Sequence, residues 1–303
     1  MKKFIIVIFL LITVVGCSNN QQTESKNPNQ SRMVTMILGV KDESALTQRQ
    51  FTFKLSNNSS FTPQIKLGNH FPEKNTYSFF FLLDYKQISV VYNGQSKNVI
   101  DIVTEPDSEV NFDINVQNIP SGRHDFIVVA VRKPDVHLNE NKIVPPEQTF
   151  IARRATIIVG DDTPPNHLYS NIETLKSELP KNMEFITENK NPSDLKDALS
   201  LINTKTNKEL WLNFISKNKD QKYALVTMID NRQIDIFDQS FCKSNSEGLI
   251  SLPIKDTFPT DNKQHELIIM IIESPFERYE NEKGEFLSKV PWAVNFVNKI
   301  TIQ

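Results

Sequence analysis

Residues 77–90 read Tyr-Ser-Phe-Phe-Phe-Leu-Leu-Asp-Tyr-Lys-Gln-Ile-Ser-Val, and residues 223–236 read Tyr-Ala-Leu-Val-Thr-Met-Ile-Asp-Asn-Arg-Gln-Ile-Asp-Ile. The two stretches align without a gap, matching Tyr77 with Tyr223, Asp84 with Asp230, Gln87 with Gln233 and Ile88 with Ile234, while Lys86 meets Arg232. A second pair follows in the same order: His-Asp-Phe-Ile-Val-Val-Ala-Val-Arg-Lys-Pro at 124–134 and His-Glu-Leu-Ile-Ile-Met-Ile-Ile-Glu-Ser-Pro at 265–275. Two ordered matches at nearly equal separation mark an internal duplication. The copies have diverged, so the shared residues record fold before function.

Each matched block reads as β-structure. An apolar run at 79–83, polar residues at 84–87 and a second β-rich run at 88–92 make a hairpin signal, with Asp84 and Asp230 as turn residues that bond their own backbone. Val110, Phe112, Ile114 and Val116 alternate with polar residues, and Ile250, Leu252 and Ile254 do the same, as in strands with one wet face. The runs at 126–131 and 267–272 are continuously apolar, short and rich in β-branched residues, which suits central strands buried on both faces. Each copy closes on a final strand, at 155–159 and 299–303.

Many short strands with polar turns predict a mainly β chain of two tandem β-sandwich domains, 32–160 and 171–303. Gly160-Asp-Asp-Thr-Pro-Pro165 opens a linker over 161–170. Short helices are expected at the start of the second domain, over 171–179 and 193–202. In the latter, Ser193 can cap while Leu195, Ala198, Leu199 and Ile202 share one face. The Pro-Ser-Gly-Arg-His segment at 120–124 resembles the turn before a late strand in immunoglobulin-like and fibronectin-like modules, with histidine where those modules carry an aromatic corner residue. The resemblance implies Ig-like sandwiches and nothing about activity.

The N-terminus carries a different kind of signal. Met1, Lys2 and Lys3 precede an apolar run over 4–15, and Gly16 and Cys17 follow directly, which are the parts of a secretory signal peptide spanning 1–16. The run falls short of the ~20 apolar residues of a spanning helix. Val14-Val15-Gly16-Cys17 resembles the lipobox of bacterial lipoproteins, with Val15 where alanine or serine is more usual. By that resemblance Cys17 is diacylglycerylated and becomes the mature N-terminus, anchoring the chain on the extracytoplasmic face of the cell membrane. Two or more acyl chains anchor stably where one does not. Residues 17–31 then form a polar tether, a coil reaching roughly 20 Å.

With 34 Lys and Arg against 36 Asp and Glu, and no run of one sign, nothing draws the chain to nucleic acid. Only Cys242 remains beside Cys17, so no disulfide is expected, and Cys242 reads as a packed structural residue. Catalytic and metal-binding motifs are missing from the sequence, so catalytic residues, metal ligands and cofactors are all read as none. His124 and His265, each followed by an acid, read as corner hydrogen bonders. The acidic stretch at 280–285 lacks calcium-loop spacing. The long loops at 134–150 and 275–292 are the natural binding segments of a rigid sandwich, with His137, Phe150, Phe276, Tyr279, Phe286 and Trp292 as candidate binding residues. Their competing role is packing onto the protein's own surface. The expected function is a lipid-anchored, non-enzymatic surface protein that binds a protein or cell-wall partner or organises the envelope. One alternative is an accessory or chaperone-like lipoprotein docking a secreted enzyme or transporter; another is a hydrolase with its site at the domain junction.

Overall fold

A computed structural model describes residues 33–40, 51–55, 60–206, 209–281, 283–287 and 292–303. The leader, Cys17 and the tether lie outside the described residues. The first half runs β1 (Val34–Val40), β2 (Thr52–Leu55), β3 (Pro63–Asn69), β4 (Asn75–Leu83), β5 (Lys86–Ile88), β6 (Val90–Tyr92), β7 (Gln95–Lys97), β8 (Val99–Thr104), β9 (Ser108–Asp113), β10 (Gly122–Arg132) and β11 (Phe150–Val159). The second runs β12 (Ser170–Ile172), β13 (Glu184–Thr187), β14 (Leu201–Ile202), β15 (Leu210–Ser216), β16 (Lys222–Ile229), β17 (Arg232–Ile234), β18 (Phe241–Ser244), β19 (Gly248–Ile254), β20 (His265–Glu273), β21 (Val294–Phe296) and β22 (Ile300–Ile302).

In the first half, β1, β3 and β9 form a small sheet facing a larger one ordered β2-β11-β10-β4, to which β5 and β8 add by pairing β4. The second half repeats this with β13, β15 and β19 facing β14-β22-β20-β16-β18. In both, the strand opening the larger sheet runs parallel to the closing strand, β2 along β11 and β14 along β22. These are two Ig-like sandwiches, as the strand pattern predicts. The hairpin turns fall where the sequence reading puts them, but the Asp84 and Asp230 carboxylates bond the neighbouring strand, at His124 and Asp125 and at His265 and Glu266, and not their own backbone as expected. Asp84 and Tyr85 take φ of 50° and 67°, and Asp230 and Asn231 take 48° and 61°, as a two-residue type I′ loop requires.

The continuously apolar strands acquire a specific meaning. Phe79, Phe81, Phe126, Val128 and Ala130 enter the core of the first sandwich, and Tyr223, Leu225, Leu267, Ile269 and Ile271 enter that of the second. The residues between them point the other way and meet in a third cluster: Phe80, Leu82, Ile127, Val129 and Val131 from one half, Ala224, Val226, Met228, Ile268, Met270 and Ile272 from the other. The larger sheets therefore pack face to face, and Arg32–Gln303 forms one compact unit. Sequence alone leaves the sandwiches as beads on a linker; the structure fuses them along this seam.

The expected short helices are absent. The described residues contain only two 3-10 turns, Pro146–Gln148 and Thr204–Thr206. Over 171–179 the chain instead lies along the second sandwich, with Leu175 bridging Leu249, and over 193–202 Leu199 bridges Ile186 before β14 forms. Pro180 and Pro192 cut both segments to about ten residues, too short to offset helix nucleation. Their apolar residues Leu179, Leu195 and Ala198 pack with Phe185 and Leu249 in a small satellite cluster.

Candidate functional site

The seam obeys an approximate two-fold relation that starts at the hairpins. The Gln87 backbone N–H donates to Gln233 Oε1 at 2.6 Å, and the Gln233 N–H returns the bond to Gln87 Oε1 at 3.0 Å. Gln87 Nε2 donates to Asn231 O and Gln233 Nε2 to Tyr85 O, each at 2.8 Å. Two glutamines at equal positions in the repeat thus close a reciprocal set of four bonds, an arrangement typical of a two-fold interface.

The repeated His–Asp pairs close strand corners. His124 Nδ1 lies 2.6 Å from Asp84 Oδ2, and His265 Nδ1 lies 2.6 Å from Asp230 Oδ2. Each aspartate also accepts the backbone N–H of the residue after the histidine, Asp125 at 3.0 Å and Glu266 at 2.9 Å. The second ring nitrogen faces another acceptor in both copies: Pro120 O at 2.9 Å and Asp261 Oδ1 at 2.7 Å. Two acceptors on one ring favour the imidazolium. Burial pulls both imidazoles down, but the bonds to and charges of Asp84, Asp230 and Asp261 outweigh it, so both pKa values are raised. Each histidine pairs within its own copy, the corner role read from sequence. Among the described residues no group of His, Cys, Asp or Glu is placed to hold a metal ion. Cys242 is buried, its thiol pushed up to about 12 by desolvation.

Among the candidate residues Phe150 and Phe276 are buried and His137, Tyr279, Phe286 and Trp292 half-buried, and each long loop crosses the seam. From the first half, Leu138 N donates to Thr301 Oγ1 at 2.8 Å, and Asn141 Oδ1 accepts from Ser200 N at 2.7 Å. Phe150 stacks on Phe296 at 5.2 Å. The half-buried His137 is pulled down by burial and by the positive charge of Lys299. From the second half, Phe276 is buried against Tyr85 at 5.0 Å and His167 at 4.7 Å. Tyr279, Phe286 and Trp292 surround Phe51 at ring distances of 5.1, 5.7 and 5.9 Å. Five of the six candidate residues thus pack against rings of the opposite half, and His137 feels the charge of Lys299 across it. They build the seam.

An open depression of about 510 Å³ beside this aromatic group has its flat faces already occupied: Tyr279 stacks on Trp292 at 5.0 Å, Arg154 lies 4.5 Å over that ring, and Arg153 lies 3.9 Å over Phe51. A second cavity, of about 260 Å³, lies where residues 143–147 of the first half meet 182–198 of the second. Ile143, Pro146, Met183, Phe185, Leu195 and Phe296 give it apolar walls. Its charged lining is Glu147 and Glu184, with no lysine, arginine or histidine. Burial pushes the Glu184 carboxyl up to about 7, against the pull of Lys217 and with the push of Glu273. Lys217 is itself held by Glu273 at 3.8 Å. Sequence reasoning missed Glu184 and Glu147. Residues 183–187 form too short an apolar stretch to signal the opening of a strand, and nothing local marks which half they meet.

No known protein family matches the chain, and no curated protein matches it. Solved structures similar to it include a chain of the complex between zinc 2-glycoprotein and prolactin inducible protein from human seminal plasma, at 9% identity and a TM-score of 0.29, covering 44% of this chain and 99% of that one. A PapD-like domain of human CEP192 is 12% identical with a TM-score of 0.26, covering 48% and 97%. The CARDB domain of a Pyrococcus furiosus protein in complex with di-metal ions is 12% identical with a TM-score of 0.23, covering 43% and 97%. Likeness at this level says nothing of ligand or role.

Proposed function

We propose that this protein is exported and lipid-anchored through Cys17, and that it serves as a non-enzymatic binding protein on the extracytoplasmic face of a bacterial membrane. The leader, the Gly16-Cys17 junction and the polar tether support the anchoring. The binding role rests on one observation: the seam leaves an apolar, acid-lined cavity walled by both halves. A rigid body built from two fused sandwiches holds such walls at fixed spacing. Metabolic labelling with a palmitate analogue tests the anchoring half. Wild-type protein is expected in the membrane fraction, labelled and open to protease on intact cells. Cys17→Ser should lose the label and appear in the medium or as an unprocessed precursor. Undiminished labelling of that variant would rule the anchor out.

A further inference from the structure

We infer that the edge of β8 is a docking site for an extended, basic segment of a protein partner, which adds to the first larger sheet as a parallel strand. The site is separate from the cavity between the halves. A difference between the two copies leads to it. In the second half, β12 lies parallel to β18, in register Ser170↔Cys242, Asn171↔Lys243 and Ile172↔Ser244, and closes one edge of that larger sheet. Tyr223 pairs with Cys242 and its counterpart Tyr77 pairs with Ile102, so β8 is the equivalent of β18. Among the described residues β8 pairs only with β4. The place that β12 fills in one copy is open in the other.

The free side of β8 presents backbone groups ready to pair. Asp84 N donates to Asp125 O at 2.8 Å and Lys133 N to Thr76 O at 2.9 Å, so the even-numbered residues of β4 bond β10 and the odd-numbered Tyr77 and Phe79 bond β8. Their partners Ile102 and Ile100 are thereby engaged, and the backbone of Asp101 and Val103 faces outward. Edge strands are commonly blunted by lysine or proline, and Val99–Thr104 contains neither. Val103 is 54% exposed.

The repeat also gives the chemistry of the occupant. Asn245 N donates to Ile172 O at 3.1 Å, and the Ile172 side chain packs on the second core. Further along the same segment, Lys181 pairs with Glu247. Gly248 lies opposite Ser216 and Ser108 opposite Asn69, the residues that receive the Tyr223 and Tyr77 hydroxyls, so Asp107 stands where Glu247 does. Residues 99–109 carry Asp101, Glu105, Asp107 and Glu109 and no lysine or arginine. Lys74 and Lys66 pair with Glu105 and Glu109. A strand with an aliphatic residue for the gap between the sheets, and with lysine or arginine where it reaches the loop after β8, is complementary to this edge. One departure limits the seat. A Cβ at Gly248 would stand 2.4 Å from Leu175 O; Ser108 carries such a Cβ, so the partner follows β8 and leaves β9 uncovered.

Fluorescence anisotropy tests the site, using the detergent-solubilised full chain and a labelled peptide of sequence 168–176, Leu-Tyr-Ser-Asn-Ile-Glu-Thr-Leu-Lys. A peptide carrying Glu173→Lys is expected to bind at least about threefold more tightly at low salt, and one carrying Ile172→Asp at least about tenfold more weakly. In the protein, Val103→Pro removes an outward N–H without touching the β4 ladder. It should weaken binding at least about tenfold while melting within about 4 °C of wild type. The Ile172→Asp comparison needs no change in the protein, so it stands whether or not that variant folds. No saturable binding at millimolar peptide, equal binding of the Ile172→Asp peptide, or undiminished binding to Val103→Pro would overturn the site. Slow hydrogen exchange at the Val103 amide without peptide would overturn it too, since a second copy or the chain's own N-terminal segment would then fill the edge. Cys17 labelling is read separately, so failure of the anchor and failure of the docking edge are distinguishable.

Discussion

The two ends of the seam place a buried ion pair at equivalent positions of the repeat, and they solve the same problem differently. In the first half, Asp125 and Arg154 pair at 2.6 Å with side chains 0% and 2% exposed. Arg154 also donates to Glu273 O at 2.7 Å and Ser274 O at 2.8 Å, while Asp125 Oδ2 accepts from Phe276 N at 2.8 Å and from the Tyr85 hydroxyl. In the second, Glu266 and Lys299 pair at 2.8 Å, and among the described residues the Lys299 ammonium otherwise reaches only Lys133 O, at 3.4 Å. Burial raises the Glu266 carboxyl to about 7 against the lowering pull of Lys299, and the charges of Asp230 and Asp135 add to the rise. A guanidinium offers five donors in a plane and can bind a carboxylate and two carbonyls at once; an ammonium is a point charge. The arginine end therefore clamps a loop of the opposite half, and the lysine end holds its counterpart more loosely.

Substitutions can break that contrast, the largest effect coming first. Arg154→Ala strands the Asp125 carboxylate in the interior and should cost about 3–5 kcal/mol in urea unfolding. Arg154→Lys, which makes the first end resemble the second, should cost less, about 1–3 kcal/mol, through the carbonyl bonds it abandons. Lys299→Arg should be milder than either; a loss as large as that of Arg154→Ala would show that the two ends are not graded as described. Gln87→Ala and Gln233→Ala should each cost about 1–2 kcal/mol and, in a double-mutant cycle, couple by at least about 0.5 kcal/mol because they share bonds. Additive losses would mean that the reciprocal set is not a unit.

The smallest effect is in pH. Glu266 and Glu184 have raised folded pKa values, so the native state holds protons that the unfolded state releases between the ordinary 4.5 and about 7, and stability falls as pH rises through that window. His124 and His265 are raised above 6.5 as well, so their stabilisation is full below that value and fades as pH climbs through the folded value. All four act in one direction. The melting temperature should decline from pH 5.5 to 8.5, and His265→Asn should flatten the alkaline part of the curve. A rising profile would contradict the assigned protonation states.

Much of this fold is legible in the chain because its signals are local. Alternation at 110–116, Asp84 and Asp230 at two-residue turns, and a histidine preceding an acid in each copy all act over a few residues, and each appears where the sequence puts it. The runs at 126–131 and 267–272 even announce strands buried on both faces. What covers the second face is not legible. The matching apolar set lies well over a hundred residues away, and pattern alone does not say that Ile127 meets the other repeat. The same limit applies to the candidate loops: their aromatics were visible, their destination was not. At 171–179 and 193–202 a helical spacing of leucines misled, because bounding prolines and nearby strand edges decide such short segments. Glu184 escaped notice for a related reason, since the cavity it lines is walled by both halves.

The reciprocal loops also set an order for synthesis. A chain that emerges from its N-terminus presents the first larger sheet with Phe80, Leu82, Ile127, Val129 and Val131 uncovered until Ile268, Met270 and Ile272 arrive. Arg154 likewise waits for the carbonyls of Glu273 and Ser274. The seam itself can therefore close only once both halves have been made, and until then the apolar outer face of the first half is open to association.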